Sequence, residues 1–266
     1  MMNIENGYQS VKDAPDRTPR FTVSLAGSQA DVRAGQALRY LVFVEELGAQ
    51  ASSQDHADRL ERDRFDPFAD HLLLRDETRP VGDQVVGVYR LMDRSAAEAA
   101  GGFYSEAEYD LSVLRRSGRH LLEMGRSCLH REYRGGAGMW HLWQGLARVV
   151  EDRGADVLFG VASFPGTNVA ELAPALSILA RDHAAPPDLT ARSQVYQDMA
   201  LTTRIDKRDA MRQVPALIKA YLRLGGMVGD GAFIDRRFNT TDVCLILDLA
   251  RMNPRQRALY GGGAPE

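Results

Sequence analysis

Apolar and polar residues alternate from Phe21 to Gly27, the two-residue period of a strand with one buried face. Val32, Ala37, Leu38, Leu41 and Val42 then repeat at helical spacing, and Gly48 supplies a C-terminal stop. Residues 50–69 carry many charges and little apolar material besides Phe65 and Phe68, so they read as an exposed loop or a short helix and loop. His71 to Arg75 and Gln84 to Met92 have strand character, and the Pro80, Gly82, Asp83 turn between them predicts an antiparallel hairpin. Ser105 followed by Glu108 has capping-box spacing and predicts a helix start. Leu121 to Leu129 is the next strand. A glycine-rich turn over 134–138 leads into a helix with Trp140, Trp143, Leu146, Ala147 and Val150 on one face. A strand at Asp156–Phe164, a helix near Asn168–Arg181, a helix at Pro215–Leu224 and an apolar strand at Thr241–Leu249 follow. Residues 182–212 are weakly patterned. Hairpins early and crossovers late predict an α/β (α+β) fold, a mixed sheet with helices on its faces.

No point in this order offers a good cut into two units. Residues 1–20 read as a flexible leader, 21–251 as a single domain and 252–266 as a flexible tail. At 266 residues the chain is long enough to bury a full core without disulfides or a structural metal. Its net charge of −3 argues against a nucleic-acid partner. Thirty of the 33 basic residues are arginine, which leaves room for a local surface that grips phosphates or carboxylates. Two cysteines suit a reducing compartment. The opening residues lack a signal-peptide pattern and no apolar run is long enough to span a bilayer, so the expected location is cytoplasmic.

Three groups of residues carry candidate chemistry. The turn Arg134, Gly135, Gly136, Ala137, Gly138 stands between a strand and a helix, where free backbone N–H groups bind anions; read alone, it is equally a simple turn. Glu123 and Arg126 interrupt an otherwise apolar strand, with Ser127 and Cys128 behind them. Three apart, they face opposite ways in a regular strand, but a bulge at Gly125 brings them to one face. They form either a base and an anion anchor in a slot beside the bulge or a structural ion pair. The third group is Arg39 and Phe43 on one helical face, Asp66 and Asp70 around a Pro-Phe-Ala turn, and Arg90 in a strand; its alternative is a solvated charge set. Ser163 is not in a nucleophile-elbow motif, Cys128 is most simply a buried thiol, and the six histidines form no metal-ligand spacing, so no metal is expected.

Taken in order, LRYLVFVEELG (38–48), FDPFADHLLL (65–74), VVGVYRL (85–91), LLEMGRSCLHREYRGG (121–136), LFGVASFPGTN (158–168), LIKAYLRLGGMVGDGAFID (217–235) and FNTTDVCLILDL (238–249) resemble bacterial ornithine N-alpha-acyltransferases of the GCN5-related superfamily. The N-terminal half is more weakly similar to acyl-homoserine-lactone synthases, whose functional pattern falls on Arg39, Phe43, Asp66, Asp70, Arg90, Glu123 and Arg126. The resemblance implies a largely antiparallel sheet with a central bulged strand. It implies transfer of a 3-hydroxyacyl chain from acyl carrier protein to the α-amino group of ornithine, giving lyso-ornithine lipid, by direct amine attack in a ternary complex. Acylation of glutamine or lysine, lactone synthesis, and a non-catalytic carrier-binding module are the alternatives. It further implies no bound cofactor, with acyl-phosphopantetheine as co-substrate, and peripheral contact with the inner membrane through the product. In the roles it implies, Glu123 is the base, with Arg126 beside it; Ser127 and Cys128 lie near the oxyanion. Arg90 or Arg126 grips the substrate carboxylate, and Asp66 or Asp70 holds a distal ammonium. Ser163 binds substrate, and residues 134–138 hold the phosphopantetheine. The superfamily phosphate loop is matched only in part, since Ala137 and Met139 occupy two of its glycine positions.

Overall fold

Alternation of side chains builds one sheet with two unlike faces. The computed structural model describes residues 18–260; most of the expected leader and the last six residues of the tail lie outside that range. The strands are β1 (Phe21–Leu25), β2 (Asp70–Asp76), β3 (Val85–Asp93), β4 (Tyr109–Asp110), β5 (Leu121–Leu129), β6 (Val157–Pro165), β7 (Arg192–Ser193), β8 (Met227–Val228), β9 (Phe233–Asp235) and β10 (Thr240–Asp248). The main sheet runs β1-β2-β3-β5-β6-β10-β8, with β9 also on β10; β4 and β7 form a separate pair. Every pairing in the main sheet is antiparallel except β5 with β6.

Leu72, Leu122, Met124, Leu158, Ala162, Val243 and Leu245 face one way, into the core shared with the helices Ala137–Asp152, Ala173–Asp182 and Ala216–Arg223. Their neighbours Leu121, Val157, Phe159, Cys244 and Ile246 face the other way, onto Phe103, Tyr109, Leu111 and Leu114. On that second side, farther along the sheet, Leu38 and Val42 cover Leu73, Val88 and Cys128. Among the described residues no helix is long and apolar enough to cross a membrane.

The long first helix has an unexpected geometry. It is α-helical over Gln29–Arg39 and then widens into a π-helix over Tyr40–Glu46, ended by Gly48 at φ +75°. The helix expected at Ser105 is a single 3-10 turn, Tyr104–Ala107. Ser105 caps nothing there; it is buried, and its amide donates to Glu123, while Glu106 reaches back to the Phe103 amide. The segment 182–212 contains β7 and the start of the helix Lys207–Gln213. In the segment expected to be a tail, Pro254–Tyr260 is helical.

Candidate active site

The central strand breaks where its sequence departs from apolar. In the β3–β5 ladder, Arg90 pairs with Gly125 and Val88 with Cys128, so Arg126 and Ser127 together oppose Tyr89 alone. That is a bulge, one residue beyond the glycine that signals it. The left-handed residue is Arg126, at φ +50°, not Gly125. A non-glycine residue held there is strained by roughly 1 kcal/mol or more and persists only where its surroundings fix it.

The surroundings of Arg126 are a closed ring of charge. Arg39 makes a two-pronged contact with Asp66, at 2.8 and 3.1 Å, and a third bond to Glu61 at 2.5 Å. Arg90 bridges Asp63 at 2.5 Å and Asp66 at 3.0 Å. Arg126 closes the ring on Asp63 at 2.9 Å and Glu61 at 3.3 Å, with its guanidinium over the Tyr104 ring. Three arginines and three carboxylates thus balance in the interior, where an unmatched charge is costly. Burial works to raise the Asp66 carboxyl, but the Arg39 charge prevails and holds it well below the usual range.

The bulge opens a gap. Parallel pairing of β5 with β6 covers only Leu121 to Glu123 against Val157 to Phe159. At the point of parting the two backbones nearly touch: a Cβ on Gly160 would run into the Met124 carbonyl oxygen. Beyond it lies a cavity of about 250 Å³ that is lined from both faces of the sheet. Met124, Ala162, Leu217, Tyr221 and Leu245 line its apolar side. Arg126, Ser163, Tyr104, Asp235 and Asp242 line its polar side, and Phe43 and Phe238 meet edge to face at 6.1 Å beside it.

The residues singled out in the sequence divide three ways. Phe43, Arg126, Ser127 and Ser163 line the cavity. Arg39, Asp66 and Arg90 join Arg126 in the charge ring. The rest lie elsewhere. Asp70 pairs with Arg153 away from the ring. Cys128 sits in the core under the first helix, its thiol pushed up to about 12 by burial. Arg134 bonds Glu46 and the Leu129 carbonyl, and Gly135, Gly136 and Ala137 are exposed at the N-terminus of the helix Ala137–Asp152, with Gly138 packed on the Tyr133 backbone.

Glu123 is buried, is not among the cavity-lining residues, and accepts the Tyr104 amide at 2.9 Å and the Ser105 amide at 2.7 Å. Burial raises its carboxyl, partly offset by those bonds. In this geometry it holds the turn that carries Tyr104 to the cavity. Glu123→Gln presents only one acceptor to two buried amides, so the variant is expected to lose about 1–3 kcal/mol of stability. Hydrogen exchange at the Tyr104 and Ser105 amides should rise with it; unchanged exchange would remove the positioning role.

Sequence reasoning missed Glu108, Asp235 and Asp242. Carboxyl oxygens of the three lie within 4.8 Å of one another. Burial, then the charge of Asp242, pushes Glu108 up to about 9; burial, with Asp235 adding to it, pushes Asp242 up to about 6. The available signal was Asp242 itself, an acid beside the apolar run Val243 to Leu247.

The sheet's β5–β6 pair parts at a bulge and opens the cavity between the two strands, in a chain of the GNAT class. The family profile described as "Acetyltransferase (GNAT) domain" matches residues 38–144. The N-acyl amino acid synthase FeeM, from uncultured soil microbes, superposes with a TM-score of 0.53 at 11% identity, over 90% of this chain and 98% of that one. The AHL synthase LasI gives 0.50 at 15%, over 94% and 98%. These two likenesses concern the fold. Sequence carries the assignment further: the L-ornithine N(alpha)-acyltransferase of Rhodobacter capsulatus is 50% identical over 244 residues, 90% of this chain and 94% of that protein. The chain belongs to the L-ornithine N(alpha)-acyltransferase family, and it is an acyltransferase enzyme.

Proposed function

We propose that the protein moves a 3-hydroxyacyl chain from acyl carrier protein to the α-amino group of ornithine, giving lyso-ornithine lipid. The observation that carries this reading is the cavity through the sheet, apolar on one side and acidic on the other. An acyl chain fits the side lined by Met124, Ala162, Leu217 and Leu245, and a cationic amino acid fits the side lined by Asp235 and Asp242. The thioester then lies in the gap at Gly125–Ser127, where the bulge frees backbone N–H groups from the ladder to hold the developing oxyanion. The amine attacks directly, and positioning of the two substrates supplies much of the rate. The amine proton leaves through water in the cavity. The phosphopantetheine arm approaches past Arg134 and the Gly135–Gly138 turn, whose open surface admits it. Product formed this way brings the enzyme to the inner membrane surface as a peripheral protein.

Incubation with 3-hydroxyacyl carrier protein and a panel of ornithine, lysine, glutamine and norvaline, read by mass spectrometry, tests the reading. N-acylornithine is the expected main product. A lactone product with S-adenosylmethionine, or no product despite carrier binding, would overturn it.

A further inference from the structure

Ornithine differs from most amino acids by a second ammonium, and two of the carboxylates that the sequence offered for it are engaged elsewhere. Asp66 is saturated by Arg39, Arg90 and Gln36, and Asp70 is paired with Arg153. The cavity has another acidic end. We propose that Glu108 and Asp242, with Asp235 at the rim, form the socket for the side-chain ammonium of a diamino acid, and so select the acceptor by its charge. This rests on the reading of the cavity given above.

Glu108 is 4% exposed and Asp242 3% exposed, and Glu108 Oε2 and Asp242 Oδ1 have no hydrogen-bond partner among the described residues. Buried carboxyl oxygens left without donors are expensive, and few native side chains are left so. Asp235 and Asp242 line the cavity, and Glu108 stands behind them with a carboxyl oxygen within 4.8 Å of one on each. An ammonium brings three N–H donors and no acceptor, which matches three converging carboxyl groups one to one.

The socket is also held in place from behind. The Tyr109 hydroxyl donates to the Asp242 carbonyl at 2.8 Å and to the Gly231 carbonyl at 3.1 Å, which pins the residue after Glu108 against β10. Asp235 is fixed through its Oδ1, which accepts the Arg237 and Phe238 amides.

The charges facing Glu108 are Asp242 on β10, Asp235 on β9, and Arg126 and Glu123 on β5. Acids outnumber the one cation, so the empty socket keeps Glu108 protonated at neutral pH. An arriving ammonium favours the ionised form, and the displaced proton leaves to solvent. Ornithine binding should therefore tighten as pH rises through neutrality, with release of a proton.

The test is calorimetric titration of the full-length protein with ornithine and with norvaline, its uncharged analogue of equal backbone length, in buffers of different ionisation enthalpy. The wild type should favour ornithine by about 30-fold or more, the range of a hydrogen bond to a charged group. Glu108→Gln should lose that preference and the proton release while still binding norvaline, which guards against misfolding. Should Glu108→Gln fail to fold, the wild-type pH dependence and proton count decide alone. Equal or undetectable affinity of the wild type for the two amino acids would overturn the proposal, as would an unchanged preference in Glu108→Gln. A clear ornithine preference with no acylated product would instead overturn the proposed function and leave the socket standing.

Discussion

Gly125→Val is expected to fold normally and to lose at least about 100-fold in kcat/KM, equivalent to roughly 2.7 kcal/mol of transition-state stabilisation. Gly125 lines the gap, and a Cβ built on it meets no heavy atom within 4 Å. It has no left-handed backbone to protect, because the positive φ of the bulge belongs to Arg126. A β-branched residue suits a strand and removes the entropic cost of glycine there. Stability should hold or rise, while three added carbons fill the space assigned to the thioester. Steady-state kinetics beside a thermal melt would check both halves. Wild-type turnover in a folded variant would move the reaction away from the gap. Gly160 would make a poor substitute for this test, since any side chain there collides with the Met124 backbone and confounds stability with activity.

Arg39→Ala is expected to cost about 3–5 kcal/mol, the range for leaving a buried charge without its partner. Native domains have only about 5–15 kcal/mol in hand, so the variant should be close to unfolding at 37 °C. Arg39 is fully buried, and its loss leaves Arg90 and Arg126 alone to balance Glu61, Asp63 and Asp66. The pH dependence separates charge from packing. In the wild type the Asp66 carboxyl is depressed, so its contribution is present above the unfolded value near 4 and is lost as pH falls through the folded one. In the variant the Asp66 carboxyl loses the charge that depresses it, so the deficit should be largest at pH 7 and shrink toward about pH 4. Urea denaturation at both values would show it. A deficit that does not change with pH would mean that Arg39 acts by filling space.

The sheet was legible because strand character is a local property: Phe21 to Gly27 alternates, and Leu72, Leu73 and Leu74 form a short apolar run buried on both faces. The bulge was legible too, through Gly125, although the strain fell on Arg126. The charge ring was legible only in part. Glu61 and Asp63 sit in a stretch so rich in charge that it reads as exposed, and nothing local distinguishes a carboxylate matched by two distant arginines from one in water. Glu123 shows the same limit. An acid in an apolar strand announces an important interaction, yet its partners are backbone amides, which no residue type encodes. Glu108, Asp235 and Asp242 come from three elements, and the role of Glu108 was hidden by a plausible capping pattern. Side chains that act through long-range convergence leave weak traces in sequence order.

The parted strands also bear on how product leaves. A closed hole through the sheet would trap a molecule whose tail lies on one side and whose head lies on the other, because release would require threading one end through. β5 and β6 are joined only up to Glu123 and Phe159, so the opening is a notch rather than a hole. On the proposed reading, a product straddling the notch leaves sideways between β5 and β6, head and tail together, with no strand pairing to break.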